Sequence, residues 1–189
     1  STLLVNGLGA PEGAECKSTQ TVEAEDLVGI RIDATGLCLP RPSWRDTFIG
    51  RLVLLIDSSY WLVIDRVEPN GRHWVESRFM TYAQTRRDGN TVFFEQHGEH
   101  MTMAYASSGD AVIREAVGLP AATNNPEAKI IRCVDREAIS DVLHVVALNP
   151  GEKPLALTLR EGDDSAYAIE VEESDGRSRV IRVSSTLEL

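Results

Sequence analysis

Short stretches of apolar or alternating residues run through the whole chain, separated by turn-forming residues at intervals of about 8–12 positions, the spacing expected of all-β proteins. No long segment shows clear helical periodicity. The pattern therefore predicts an all-β protein, an antiparallel β-sandwich that is supersandwich-like and has few or no helices.

The most apolar part of the chain predicts two central strands. Residues 52–56 and 60–67 are joined by the turn sequence Asp57-Ser58-Ser59. Because both strands are apolar at odd and at even positions, we expect protein to cover both of their faces. The predicted core residues of this hairpin are Leu54, Ile56, Leu62 and Ile64.

Other stretches alternate as half-buried strands do. Val75 and Phe79 share one face of a predicted strand, while Trp74, Glu76 and Arg78 share the other. A second hairpin is predicted to join residues 91–96 to residues 101–106. Further strands are predicted at about 155–159, 167–171 and 179–183.

Two segments leave the organisation open. Residues 135–148 fit helical spacing as well as a strand, and their Val-rich end favours a strand over 142–148. Residues 119–127 contain proline, asparagine and alanine, which predicts a connection. We therefore divide the chain into a main β-sandwich portion over 1–118, this connection, and strands over 128–189 that complete the sandwich or form a small β subdomain.

The charge of the chain limits its partners. The 189 residues include 19 Lys and Arg against 29 Asp and Glu, which gives a formal net charge of −10. Such a surface repels nucleic acid and anionic lipid on average. No apolar run approaches the roughly 18 residues that cross a bilayer, and no signal pattern opens the chain. We therefore expect neither a nucleic-acid partner nor a membrane partner.

The cysteines Cys16, Cys38 and Cys133 are too few and too widely spaced for a disulfide framework or a zinc knuckle. We interpret them as buried or incidental thiols. One disulfide is compatible with an exported protein, so cysteine usage leaves the compartment undecided.

His97 and His100 flank Glu99, a cluster of residue types that can bind a metal. In an extended strand, residues three positions apart point to opposite faces, so only a turn would bring both rings together. The sequence favours an ordinary hairpin here, and we assign no metal ligand in this chain.

Acidic residues near the long hairpin are the next candidates for chemistry. Asp57, Asp65 and Glu68 flank it, and paired carboxylates can act as general acid and base. Nothing in the spacing forces such a pair, and Asp65 followed by Arg66 favours a polar contact at a strand end. The chain contains neither a phosphate-binding loop followed by a helix nor a G-x-S-x-G nucleophile motif. The residues alone predict no catalytic group.

Aromatic and basic residues suit carbohydrate binding. The rings of Trp61 and Trp74 are suited to stacking on sugars, and Arg78 to binding a uronate carboxylate through two hydrogen bonds. Since Trp74 and Arg78 share one face of a strand, we predict these two as substrate-binding residues. The alternative is that Trp61 belongs to the core and Trp74 packs on a neighbouring domain.

Taken in order, these segments resemble the β-sandwich of heparinase II/III-like polysaccharide lyases. The stretch TLLVNGLGAPEG and then RLVLLIDSSYWLVIDRVEPNGRHWVESRF contain the family's elements in the family's order. The resemblance extends over about residues 1–106, and its most specific part is the Tyr-Trp…Asp-Arg segment. The matching residues are Val5-Asn6-Gly7-Leu8-Gly9, Tyr60-Trp61-Leu62-Val63-Ile64-Asp65-Arg66, His73, Glu76 and Phe79.

The chain also departs from the family pattern. Met80 stands where the family commonly has a His, and the family's His-Asn ahead of the first strand would fall before Ser1. The family's metal-binding and catalytic His segment lies further upstream, and its catalytic Tyr and other His groups lie on a helical toroid. None of these groups maps onto a residue of this chain.

The resemblance implies β-elimination at a uronic acid, in which the carboxylate is neutralised, a base removes the C5 proton and an acid protonates the departing O4. It also implies a parent protein with an N-terminal (α/α) toroid domain, a polysaccharide substrate such as a glycosaminoglycan, a divalent metal such as zinc, and a periplasmic or secreted location. We then expect this chain to be a scaffold and one wall of the substrate cleft, inactive by itself and without a cofactor of its own. The alternatives are a non-catalytic carbohydrate-binding β-sandwich module and a purely structural domain.

Overall fold

The computed structural model describes residues 2–10, 13–36, 48–68, 71–117, 128–138, 141–162 and 166–189. These residues form fifteen β-strands, and none of them lies in a helix. Within these ranges, therefore, no helix is long and apolar enough to cross a membrane. The strands are β1 (Thr2–Val5), β2 (Ser18–Ala24), β3 (Leu27–Asp33), β4 (Phe48–Ile56), β5 (Tyr60–Glu68), β6 (His73–Thr81), β7 (Gln84–Asp88), β8 (Thr91–Gln96), β9 (Glu99–Ser107), β10 (Val112–Val117), β11 (Lys129–Ala138), β12 (Val142–Pro150), β13 (Ala156–Glu161), β14 (Tyr167–Glu172) and β15 (Ser178–Val183).

The described strands form three antiparallel sheets. The four-stranded sheet has the order β1-β6-β11-β10, the eight-stranded sheet β2-β3-β4-β5-β12-β9-β8-β7, and the three-stranded sheet β13-β14-β15. The eight-stranded sheet joins distant parts of the chain, because β12 lies between β5 and β9. The predicted antiparallel β-sandwich is confirmed.

One face of the eight-stranded sheet packs on the three-stranded sheet. The four predicted core residues of the long hairpin are completely buried in this interface. Burial of each such side chain contributes about 1.5–3 kcal/mol. The residues from the three-stranded sheet that share this cluster are Tyr167, Ile169, Val171, Ile181 and Val183.

The opposite face of the eight-stranded sheet packs on the four-stranded sheet. One apolar cluster in this interface contains Ile49, Val67 and Val75, and a second contains Val63 and Met103. The strands β4 and β5 therefore contact protein on both faces, as their apolar sequences predict. Between the two clusters lies a row of polar residues.

Several local predictions are confirmed by the strand pairings. The ambiguous segment is a strand from Val142 to Pro150, and β8 and β9 form the predicted hairpin around His97 and Gly98. The positive φ of both turn residues, 54° at His97 and 81° at Gly98, matches the requirement of a two-residue hairpin turn.

Some predictions fall outside the described residues. The connection at 119–127 does, as does Cys38, so the division into 1–118 and 128–189 stays a prediction. The strands β11 and β12 pair with β6 and β5.

Cys16 and Cys133 carry free thiols, and that of Cys133 is buried.

Candidate functional site

The two predicted substrate-binding residues lie on the same face of β6. Val75 and Phe79 point towards the eight-stranded sheet, where they pack into its apolar clusters. By strand alternation, Trp74 and Arg78 point to the outer face of the four-stranded sheet. Their common face agrees with the sequence pattern, and their binding of substrate stays a prediction.

Strand register brings two further arginines to this face. Arg132 of β11 lies directly opposite Arg78, and Arg114 of β10 lies directly opposite Arg132. We call Arg78, Arg132 and Arg114 the arginine row. Neighbouring strands are about 4.8 Å apart, so the row crosses roughly 10 Å of the sheet. Arg114 is exposed and the other two are partly exposed.

One buried carboxylate holds two of these guanidinium groups. Glu76 is completely buried, and its Oε1 and Oε2 accept hydrogen bonds from Nε (2.6 Å) and Nη2 (2.8 Å) of Arg132. Nε of Arg78 also donates to Oε1 of Glu76. A paired geometry of this kind fixes both the position and the plane of a guanidinium. Three guanidiniums and one carboxylate leave a local charge of about +2 on a strongly acidic chain.

The ionisation of Glu76 follows from these contacts. Burial by itself would raise its pKa, but the hydrogen bonds from Arg132 and Arg78 outweigh burial and hold the pKa of Glu76 below its ordinary value. The same contact raises the pKa of Arg132. The salt bridge therefore stays charged throughout the neutral and mildly acidic range.

Trp74 is held at one end of this face. Its backbone N–H donates to Oδ1 of Asn6 (2.9 Å), and Nδ2 of Asn6 lies 2.9 Å from Nδ1 of His73. The guanidinium of Arg132 lies 5.9 Å from the centre of the Trp74 ring, within the range of a cation–π contact. The indole N–H of Trp74 is buried and has no hydrogen-bond partner among the described residues. Asn6 and His73 match the family pattern, which gave them no role. In the structure, Asn6 binds the Trp74 backbone and His73 contacts Asn6.

A second polar group lies between the two sheets, in a buried row that crosses from β4 to β12. Arg51 donates two hydrogen bonds to Asp65, from Nε to Oδ1 (2.5 Å) and from Nη2 to Oδ2 (2.7 Å). The hydroxyl of Ser77 lies 2.6 Å from Oδ2 of Asp65 and 3.0 Å from Nδ1 of His144. Asp65, Ser77 and His144 are all buried. Asp65 is therefore an internal ion-pair partner and lies within a strand, not at the strand end that the sequence favoured.

The hydrogen bonds define which nitrogen of His144 carries the proton. Since a carboxylate only accepts, Ser77 donates its single proton to Asp65 and accepts from N–H at Nδ1 of His144. Nε2 is then an unprotonated acceptor, and it has no partner among the described residues. Burial lowers the pKa of His144 to about 4, although the nearby Asp65 and Asp135 act in the opposite direction. His144 is therefore neutral at pH 7.

This group does not have the arrangement of a nucleophilic triad. In such a triad the carboxylate orients the histidine, whereas Asp65 here binds the serine hydroxyl. Ser77 is 0% exposed and His144 is 1% exposed, so neither side chain lies at the protein surface. The hydrogen bonds of the cluster join the two sheets.

The remaining sequence candidates are dispersed. His97 and His100 lie in the β8–β9 hairpin, and His100 Nε2 is 3.4 Å from a carboxylate oxygen of Glu152. Asp57 binds Arg179 on the three-stranded sheet, and Glu68 is exposed. Within the described ranges, no group of three or more His, Cys, Asp or Glu residues is placed to hold a metal ion.

The position of Trp61 contradicts the alternative interpretation, which placed this residue in the core. Its side chain is 43% exposed on the face of the eight-stranded sheet that carries the four-stranded sheet. Leu62, its neighbour, points to the opposite and fully covered face. Trp61 is also on a different sheet from Trp74, so the two rings do not form one sugar-binding surface.

No protein-family model matches the chain, and no curated protein does either. Several solved structures do match the chain. A mutant of the heparan sulfate lyase HepC from Pedobacter heparinus matches 97% of the chain with a TM-score of 0.72 and 15% sequence identity. A heparinase III gene product matches 97% with a TM-score of 0.71 and 12% identity. The lyase HepC itself, from Pedobacter heparinus, matches 100% with a TM-score of 0.67 and 17% identity.

The chain has the fold of one part of these lyases. It spans 30% of the length of each of the three, so most of each lyase lies outside the match. The resemblance to heparinase II/III-like lyases is confirmed at the level of the β-sandwich fold.

Proposed function

We propose that this chain is the β-sandwich part of a polysaccharide lyase that cleaves a uronic-acid-containing polysaccharide by β-elimination, and that it forms one wall of the substrate cleft. The observation that carries the proposal is the match of 97–100% of this chain to 30% of the length of heparan sulfate lyases. The Tyr60 to Arg66 segment, the most specific part of the sequence resemblance, lies in β5, inside the eight-stranded sheet of this chain.

The arginine row is the feature of this wall that suits an acidic polysaccharide. Guanidinium groups bind carboxylates and sulfates through paired hydrogen bonds, and Glu76 holds Arg78 and Arg132 in fixed orientations before any ligand arrives. Arg114 completes the row, and Trp74 at its end offers an aromatic surface for a sugar ring. These residues neutralise and position negative charge, which elimination next to a carboxylate requires.

The base and the acid of the reaction belong to the rest of the parent protein in this proposal. An N-terminal (α/α) toroid would supply the second wall and the catalytic groups, and a divalent metal such as zinc would bind upstream of residue 1. The described residues offer no donor set for that metal. A periplasmic or secreted location of the parent is part of the same proposal.

The first test incubates the purified chain and the parent protein separately with heparan sulfate and alginate. The ultraviolet absorbance of the unsaturated product reports cleavage. The parent is expected to form product and the chain alone is not, because one wall lacks the base and the acid. Steady product from the chain alone would contradict the proposal, as would a parent that cleaves no uronate polymer.

The second test compares Arg114→Ala with Arg182→Ala, an exposed arginine on the three-stranded sheet, in binding of heparan sulfate by the parent. Loss of one charge contact is expected to weaken binding about three- to fivefold for Arg114, which corresponds to just under 1 kcal/mol. The Arg182 variant is expected to bind as the unaltered protein does. Equal effects of both variants would remove the arginine row from the site. Full binding by the chain alone would favour a carbohydrate-binding module.

A further inference from the structure

A groove of about 420 Å³ opens at the β7 end of the eight-stranded sheet. This volume lies within the range of about 300–1,000 Å³ that is usual for small-molecule sites. The side chains that give the groove its chemistry are Gln84, Arg86, Phe93, Glu95, His100 and Glu152. The arginine row lies elsewhere, on the outer face of the four-stranded sheet. The groove is therefore a separate candidate site.

Strand register builds the floor of the groove from three strands. Arg86 of β7 lies directly opposite Phe93 of β8, and Gln84 lies directly opposite Glu95. Glu95 in turn lies directly opposite His100 of β9. Directly opposite residues of antiparallel strands share a face, so two neighbouring rows of side chains cross the floor.

The floor lies on the face of the eight-stranded sheet that points away from the four-stranded sheet. Val92 and Phe94 pack in the apolar cluster between these two sheets. Phe93 and Glu95 alternate with them and therefore point to the opposite face. On that face Phe93 is half-buried and Glu95 is exposed, so the floor is open to solvent.

The loop between β12 and β13 forms a fixed wall of the groove. The backbone N–H of Gly151 donates to the backbone oxygen of His100 (2.8 Å), and Nδ2 of Asn149 donates to the backbone oxygen of Lys153 (2.8 Å). Oε1 of Glu152 lies 3.4 Å from Nε2 of His100. These contacts hold the loop against β9, so the groove has its shape before a ligand arrives.

Arg86 is an oriented cation with free hydrogen-bond donors. Its guanidinium carbon lies 3.9 Å from the centre of the Phe93 ring, over the face of that ring. Stacking of this kind does not use the N–H groups at the edges of the guanidinium. Among the described residues, no acceptor or carboxylate pairs with these groups. They are available to bind a carboxylate through two parallel hydrogen bonds.

The other side chains of the groove favour hydroxyl groups as further ligands. The carboxylates of Glu95 and Glu152 can only accept hydrogen bonds, and the amide of Gln84 both donates and accepts. One cation among these acceptors suits a ligand with a single carboxylate and several hydroxyls. Two carboxylates at this distance from the cation repel a ligand that carries several sulfates.

We propose that this groove binds an unsulfated uronic acid, with its carboxylate on Arg86 and its ring hydroxyls on Glu95 and Gln84. The inference goes beyond the proposed function, because it assigns a binding site outside the cleft wall that carries the arginine row. Where the uronic acid is a unit of a polysaccharide, the groove gives the protein a second point of attachment to that polymer.

The experiment titrates the isotope-labelled 189-residue chain with saccharides and follows the amide NMR signals of Phe93, Glu95 and His100. The saccharides are a mannuronate tetrasaccharide, free glucuronate, neutral maltotetraose and a heparin tetrasaccharide. The mannuronate tetrasaccharide is expected to shift these signals and to bind about tenfold more tightly than maltotetraose, which has no carboxylate for Arg86. It is also expected to bind more tightly than the heparin tetrasaccharide, whose sulfates would face Glu95 and Glu152.

Three variants test the assigned contacts. Arg86→Gln should weaken binding of the mannuronate tetrasaccharide about fivefold and remove its preference over maltotetraose. Arg182→Gln, at an exposed arginine of the three-stranded sheet, is the matched control and should bind as the unaltered chain does. Glu95→Gln should reduce the preference over the heparin tetrasaccharide about threefold, because one repelling charge is removed.

The proposal is overturned by groove signals that the mannuronate tetrasaccharide leaves unchanged, by equally tight binding of maltotetraose, or by equal weakening in Arg86→Gln and Arg182→Gln. Tighter binding of the heparin tetrasaccharide in the groove would overturn the assignment to an unsulfated ligand. Tighter binding of the mannuronate tetrasaccharide than of free glucuronate supports a polymer as the source of the uronate, and equal binding supports the free sugar acid. The proposed function is read separately, from cleavage by the parent protein, so either result can fail alone.

Discussion

Replacement of His144 by glutamine should remove a large part of the acid sensitivity of the fold. His144 is 1% exposed and neutral, and burial lowers its pKa from 6.5 to about 4. The unfolded chain takes up a proton at this residue below about pH 6.5. The folded chain does so only near pH 4, since the buried Nε2 has no partner among the described residues to stabilise the charged ring.

The sign and size of the effect follow from linkage. Because the folded pKa lies below the unfolded pKa, the stabilising contribution is complete above pH 6.5 and is lost as the pH falls to about 4. A difference of about 2.5 pKa units at about 1.36 kcal/mol each gives a loss of roughly 3 kcal/mol over this window. Below pH 4 the contribution of His144 no longer changes, and further losses come from the carboxyl groups.

The assay is urea unfolding at intervals from pH 7 to pH 4 for the unaltered chain and for His144→Gln. The free energy of unfolding of the unaltered chain is expected to fall about 3 kcal/mol more steeply than that of the variant. His97→Asn is the matched control, because His97 is exposed and asparagine tolerates its positive φ. Its profile should follow that of the unaltered chain.

Two results would refute this reasoning. One is a His144→Gln profile parallel to that of the unaltered chain. The other, which does not depend on a folded variant, is an NMR titration in which the His144 ring of the unaltered chain takes up its proton near pH 6.5.

Two further predictions concern the core and the candidate site. Leu62→Ala should lower the free energy of unfolding by about 2–5 kcal/mol, because Leu62 is completely buried between two sheets. Val28→Ala, at an exposed position, should cost less than about 0.5 kcal/mol, and equal losses in urea unfolding would place the hairpin at the surface. Glu76→Gln should cost about 1–3 kcal/mol, because two guanidiniums lose their charged partner. A loss no greater than that of the exposed Glu172→Gln would show that Glu76 does not hold Arg78 and Arg132 in place.

The centre of the fold is predictable from the sequence because its signal is local. β4 and β5 are apolar at odd and even positions, and such strands are stable only where protein covers both faces. The edge strands β2 and β7 lack this signal, since most of their residues are exposed on both faces. The positions of β2 and β7 in the sheet depend on the strands with which they pair. No pattern within β2 or β7 shows which strands these are.

The candidate site was predictable only along a single strand. The common face of Trp74 and Arg78 follows from alternation within β6. Arg114 and Arg132 join them only through the pairing of β10 and β11 with β6, which local patterns do not specify. The same holds for His144, whose contact with Ser77 depends on how two sheets pack. Arg132 stands between the apolar residues Ile131 and Cys133, and this alternation was the available signal of an outward-facing arginine.

The place of β12 in the eight-stranded sheet has a consequence for the order of assembly during synthesis. β5 and β9 leave the ribosome first, and each has an edge that only β12 can pair. Until residue 150 has been made, both edges are open beside apolar side chains, which is the condition that promotes pairing with other chains. The interval between the synthesis of β9 and that of β12 is therefore the stage at which the nascent chain is most exposed to pairing with other chains.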